Sequence, residues 1–240
     1  MSYDPIQQPT FARADGRVVD AGLQAHMRSV YNTMCWGLAV TAAVAWSVAN
    51  VAPLRSLVFG TPLSWVFALA PLFFVMFGFS ANRVRRLTAQ QVRNTFIGFS
   101  ALMGVSMGTI FMYYSGVSIA RVFVITAGTF AAMSLIGYTT KRDLSAMGSF
   151  MMMGMIGIVL ASVVNIFVAS AAINFVVSIL GVVIFTGLTA WETQMIKENY
   201  AEANGVESNS KMATMGALNL YMSFINLFQF LMSFMGNNRN

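Results

Sequence analysis

Residues 147–168 read MGSFMMMGMIGIVLASVVNIFV, twenty-two positions without one charged side chain. A helix of that length rises about 33 Å at 1.5 Å per residue, enough to cross the roughly 30 Å hydrocarbon core of a bilayer. Apolar residues fall on every side of such a helix, so no face is reserved for water. The run is too long for a single strand and lacks the alternation of a barrel strand. A backbone in lipid must satisfy its own polar groups, and a helix does so within one segment.

Working outward, only Ala169-Ser170-Ala171 separates this run from the next, 172–196. Runs of the same character recur at 31–51, 62–80, 95–114, 119–138 and 213–235, seven in all. Turn signals lie between them at Pro53, Gly60-Thr61-Pro62 and Ser115-Gly116-Val117-Ser118, and Pro71 predicts a kink inside the second run. The chain as a whole agrees: 57% of its residues are hydrophobic and 9% charged, with a mean hydropathy of +0.68. Soluble domains carry about 25% charged residues, and so few charges cannot cover a surface facing water. The reading is an all-α integral membrane protein of seven transmembrane helices, one domain over 31–235. A polar cytoplasmic tail, 1–30, precedes it and a short tail, 236–240, follows. The N-terminal tail mixes Asp4, Asp15 and Asp20 with Arg13, Arg17 and Arg28 and lacks the apolar core of a secretory signal, so the first run is expected to stay in the mature protein.

A net charge of +6 and a pI near 9.8 are compatible with nucleic-acid binding until the charges are placed. With the N-terminus inside, eleven of the fourteen Lys and Arg fall on inner segments, leaving Arg55, Arg121 and Arg239 outside. Positive loops stay in the cytoplasm, so the asymmetry predicts a cytoplasmic N-terminus and an outer C-terminus. It also accounts for the basic pI with no nucleic-acid partner. The lone cysteine, Cys35, allows no intramolecular disulfide and is expected in the core. The lone histidine, His26, is expected in a solvated or interfacial place in the tail. The sequence contains no Walker motif, HExxH or CxxC, and no Ser/His/Asp set can form in the spans, so neither enzyme activity nor a cofactor is expected.

Ser100, Gly104 and Gly108 recur every four residues, Gly154 and Gly157 lie close together in the fifth run, and Gly181 and Gly187 lie in the sixth. They let membrane helices approach closely, either within a monomer, the favoured reading, or at a dimer face. Met151, Met152 and Met153 suit irregular packing. Among the eight acidic residues, only Glu192 lies within or at the inner edge of a span. An ionisable group there is costly and so marks a functional site, unless it sits at the water boundary paired with Lys197 or a loop arginine. In the last run Asn219, Ser223 and Asn226 share one helical face, which Gln229 continues. That face is expected to meet protein or a water-filled space, making this helix central. Asn165 is a further candidate for a buried polar group.

Three stretches carry a resemblance: GYTTKRDL at 137–144, FTGLTAWETQ at 185–194 and LYMSFINLF at 220–228. With them, residues from about 20 to 235 resemble the bacterial branch of the Bax inhibitor family. The resemblance implies six helices in two layers around a central seventh, in a bacterial inner membrane. It also implies a pH-sensitive calcium leak. Two carboxylates, on the sixth and seventh helices, form a hydrogen-bonded pair near the cytosolic side, and an arginine ending the second helix engages the sixth-helix acid. The matching positions are Glu192, Ser223 and Arg83, with Arg85 as the alternative; the motif loop holds Lys141, Arg142 and Asp143. Ser223 cannot ionise, so the coupling between two close carboxylates is absent. Calcium prefers several hard oxygen ligands, and Glu192 with Ser223, Asn226 and carbonyls makes a weak site. The expectation is a calcium conductance that is weaker and less steep in pH, or none. The alternative implied by the family is a non-conducting regulator that binds a membrane-bound AAA protease through the N-terminal tail.

Overall fold

The computed structural model describes residues 11–60 and 64–237, with side chains from residue 21 onward. Nine α-helices are found among the described residues, with no β-strand: α1 (Phe11–Asn50), α2 (Ala52–Phe59), α3 (Ser64–Gly78), α4 (Ala81–Arg86), α5 (Ala89–Tyr113), α6 (Gly116–Thr139), α7 (Ser145–Val168), α8 (Ala171–Asn199) and α9 (Gly205–Met235). Six are long and apolar enough to cross a membrane: residues 21–50 of α1, and α5 through α9. The second expected span, 62–80, is represented by α3, whose 15 residues rise only about 22 Å. Counting α2 and α3 together as one broken span makes seven.

The helix ends follow local chemistry. Thr88 and Gln91 form a reciprocal capping box at the start of α5. Ser115 and Ser170 accept backbone N–H bonds at the starts of α6 and α8. Between α7 and α8, Ala169 adopts a left-handed conformation with φ of 51°. Asn165, expected as a buried polar group inside a span, instead caps this turn: its Oδ1 accepts from the Ser170 N–H at 2.9 Å. A helix terminus leaves orphan polar groups, and an Asn one turn from the end is close enough to satisfy one.

The α9 helix packs against α1, α5, α6 and α8 and is the most enclosed of the long helices. Small residues set these approaches. A Cβ on Gly104 would meet the Thr41 carbonyl at 2.7 Å, and one on Gly108 would meet Val48 at 3.0 Å, so that stripe serves α1–α5 packing within the monomer. Gly137 brings α6 onto α8: its Cβ would lie 2.1 Å from the Ala190 carbonyl oxygen. Gly148 accommodates Trp191 of α8, and Gly187 accommodates Met151.

Two expectations about side-chain direction are corrected. Cys35 is exposed on the outer face of α1 rather than in the core. His26 is buried, 7% exposed, with its ring 5.0 Å from that of Tyr200. The reason is that α1 starts at Phe11, well before the apolar run at 31, so its early turns pack on the end of α8. Residues 1–10 of the expected tail, and Arg239, lie outside the described residues.

The basic segments gather at one end of the molecule. There the Ala89 N–H donates to Glu207, and Gln194 grips the 142–144 loop. At the other end the backbone of Asn237 bonds to Ser115 and Ser118.

Candidate functional site

Glu192 stands on α8, five residues after Gly187 and two after Ala190, where α6 and α8 touch backbone to backbone. Its side chain reaches α9. Ser223 Oγ donates to Glu192 Oε2 at 2.7 Å, and Ser223 is itself buried. The two residues expected to meet are thus in direct contact. Among the described residues Lys211–Glu207 is the sole ion pair, so Glu192 has no cationic partner. Lys197, offered as a partner from sequence, donates instead to the Tyr138 carbonyl at 2.8 Å and lies over its ring. Arg83 is exposed on α4 and is not brought to Glu192.

The polar stripe of α9 divides by height and rotation. Asn219, one turn below Ser223, lines a cavity of about 130 Å³ with His26, Asn199 and Gly216. That cavity lies toward the basic end, and a water occupies about 30 Å³ in the liquid, so it has room for a few. Asn226 donates to the Met222 carbonyl of its own helix at 2.8 Å. Gln229, expected to face protein, is exposed. The stripe spans eleven residues, and a straight α-helix turns far enough over that length to rotate its last member out of the interior.

Two further polar clusters flank the pair, and sequence reading missed both. Thr41 of α1 bonds the Tyr221 hydroxyl at 2.6 Å, and its one hydroxyl proton lies within reach of both the Gly37 and Ser100 carbonyls, each 2.9 Å away. On the other side the Tyr31 hydroxyl bonds Ser134, and Ser134 bonds Thr193, the neighbour of Glu192, at 3.0 Å. Hydroxyls at mid-helix carry little sequence signal, since they return a hydrogen bond to their own backbone, as Thr193 does to Thr189.

The motif loop is held from α8. Gln194 Nε2 donates to the Arg142 carbonyl at 2.9 Å, and the Leu144 N–H donates to Gln194 Oε1 at 2.8 Å. Asp143 accepts from the Ser145 N–H at 2.8 Å. Hydrogen bonds from the Ser145 side chain and backbone hold its carboxyl below the usual value. Lys141, Arg142 and Asp143 are exposed, so the loop presents charge while Gln194, 4% exposed, anchors it.

Chemically the pair offers one carboxylate and one hydroxyl. No group of three or more His, Cys, Asp or Glu that could hold a metal ion occurs among the described residues. Calcium takes six to eight oxygen ligands in a resident site, more than Glu192 and Ser223 supply.

A family model described as "Inhibitor of apoptosis-promoting Bax1" matches residues 23–240. An uncharacterized protein of Caulobacter vibrioides is 44% identical over 232 residues, covering 92% of this chain and 92% of that protein. The inner membrane protein YbhL of Escherichia coli K12 is 42% identical over 232 residues, covering 95% of this chain and 99% of that protein. The uncharacterized protein RP147 of Rickettsia prowazekii is 41% identical over 229 residues, covering 93% and 94%.

Proposed function

The chain belongs to the Bax inhibitor family, and on that premise we propose that it is a pH-sensitive cation leak of the bacterial inner membrane. Calcium is the ion, and Glu192 is the single carboxylate on its route. The compartment follows the name of the similar inner membrane protein and the six apolar helices. The observation that carries the reading is the Ser223–Glu192 hydrogen bond between two membrane helices, with no ion pair to neutralise the acid. A carboxylate in such a place is expensive to keep unless its charge is used.

The route enters at the basic, cytoplasmic end through the cavity beside Asn219 and continues one turn along α9 to the Ser223–Glu192 pair. Beyond the pair, Leu227, Phe228, Leu231 and Met232 of α9 are buried and apolar, so this conformation is closed toward the other side. Ionised Glu192 attracts the cation, and protonation removes that attraction, which makes flux depend on pH. The seven-helix arrangement, with α2 and α3 as one broken span, and the cytoplasmic N-terminus belong to the same reading.

The test is calcium-dye liposomes carrying wild type or Glu192→Gln. Wild type should leak calcium with a rate that changes with pH, and Glu192→Gln should leak more slowly at a rate that does not. Equal pH profiles would remove Glu192 from the mechanism, and wild-type flux no higher than empty vesicles would remove transport itself.

A second reading, a regulator of a membrane-bound AAA protease, draws on the extension of α1 to Phe11, ten residues beyond its candidate span. Deleting residues 1–20 should then release a co-purifying protease while calcium flux persists.

A further inference from the structure

The α1 and α6 helices are neighbours that make no extended contact with one another; α9 lies beneath both. The gap between them is an open groove of about 640 Å³. One wall is the face of α1 from Gln24 to Leu38, the other is the face of α6 from Phe123 to Tyr138, and Phe224 of α9 is the floor. At 1.5 Å per residue each wall runs about 21 Å. That exceeds half of a roughly 30 Å hydrocarbon core, so the groove is long enough for the acyl chain of one leaflet.

The groove is polar at one end only. Gln24 and Arg28 stand at its head, on the side where the basic loops gather, and Tyr31 follows one turn later. Arg28 is exposed and makes no ion pair or hydrogen bond among the described residues. Behind the opposite wall Lys197 of α8, outside the groove lining, donates to the Tyr138 carbonyl and lies 5.7 Å from its ring centroid. Tyrosines and basic side chains at one level are the signature of a headgroup boundary. From there to Leu38 and Phe123 the lining is apolar except for Cys35 and for Ser134, which bonds the Tyr31 hydroxyl between the two walls. The sequence of cation, aromatic hydroxyl and hydrocarbon matches a lipid from phosphate to tail.

We propose that the α1–α6 groove is a binding site for an anionic glycerophospholipid, with its phosphate at Arg28 and one acyl chain along α6. A net negative headgroup is favoured because Arg28, the cation lining the mouth, has no carboxylate partner among the described residues. Glu192 itself does not line the groove, and occupancy is read without any flux measurement.

The experiment is native mass spectrometry of the full chain in mild detergent, titrated with phosphatidylglycerol or phosphatidylethanolamine. Wild type should take up one phosphatidylglycerol in preference to phosphatidylethanolamine. Arg28→Glu should lower phosphatidylglycerol occupancy about fivefold or more, Arg28→Lys should keep it, and Ala131→Trp, filling the groove from an exposed position, should lose both lipids. Thermal melting of each variant checks that it is folded, and Arg28 and Ala131 are both exposed, so folding should be retained. Equal uptake of the two lipids by wild type would overturn the proposal. So would adducts that ignore both Arg28→Glu and Ala131→Trp, which are belt lipids. A dimer that Ala131→Trp dissolves would give the groove to a second copy of the chain instead.

Discussion

At Ser223 a hydroxyl stands where a carboxylate would confront Glu192 at hydrogen-bond distance. Two carboxylates that close repel, and the pair then holds one proton between them. Ser223→Asp should therefore give a calcium leak whose pH dependence is steeper than that of wild type, measured in the same liposomes. An unchanged slope would mean that the hydroxyl is structural and that titration at this spot does not set the rate. The nearby Thr41–Tyr221 bond is worth less than its burial suggests. Hydrogen bonds between membrane helices average only about 0.6 kcal/mol, and Thr41 still has a backbone carbonyl to donate to if the tyrosine hydroxyl is lost. The aromatic contacts of Tyr221 with Phe96 and Phe99, at 5.4 and 5.9 Å, hold α9 to α5 besides.

Between elements, the closest approach supporting the site is Gly137 of α6 on Ala190 of α8. Gly137→Ala would force a methyl to within 2.1 Å of a backbone oxygen, and neither helix can yield without shifting its neighbours. Overpacking of this kind costs ~1–3 kcal/mol, so the variant should melt several degrees lower in detergent. An unchanged melting temperature would show that the two helices are looser than they stand here. The long helices were legible in the sequence because composition decides which segments enter lipid. Their rotation was not. A helix apolar on all sides has no amphipathic stripe to point inward, so Cys35 facing outward and Gln229 leaving the interior could not be read from their neighbours. The early start of α1 and the burial of His26 escaped for the opposite reason: residues 11–30 read as a polar tail, and contact with Tyr200 is what covers His26. The meeting of Glu192 and Ser223 was foreseen through the motifs around them; spacing within either helix says nothing about which residues of the other it faces.

For the whole molecule, the two ends differ in charge, and that difference gives its orientation a test. In a Cys35→Ser background, Val117→Cys should react with a membrane-impermeant maleimide in intact cells. Thr140→Cys should react only after lysis. Val117 is 73% exposed at the end of the bundle opposite the basic loops, so access is assured if that end faces outward. The reverse pattern would invert the orientation. Gln194 adds a different use for the cytoplasmic end. It lies two residues beyond Glu192 and fastens the backbone of Arg142 and Leu144. Any rearrangement that turns α8 must tug on that strap, leaving Lys141 and Arg142 more open to trypsin. The rate of nicking there in inside-out vesicles becomes a readout of Glu192, and it should differ between wild type and Glu192→Gln.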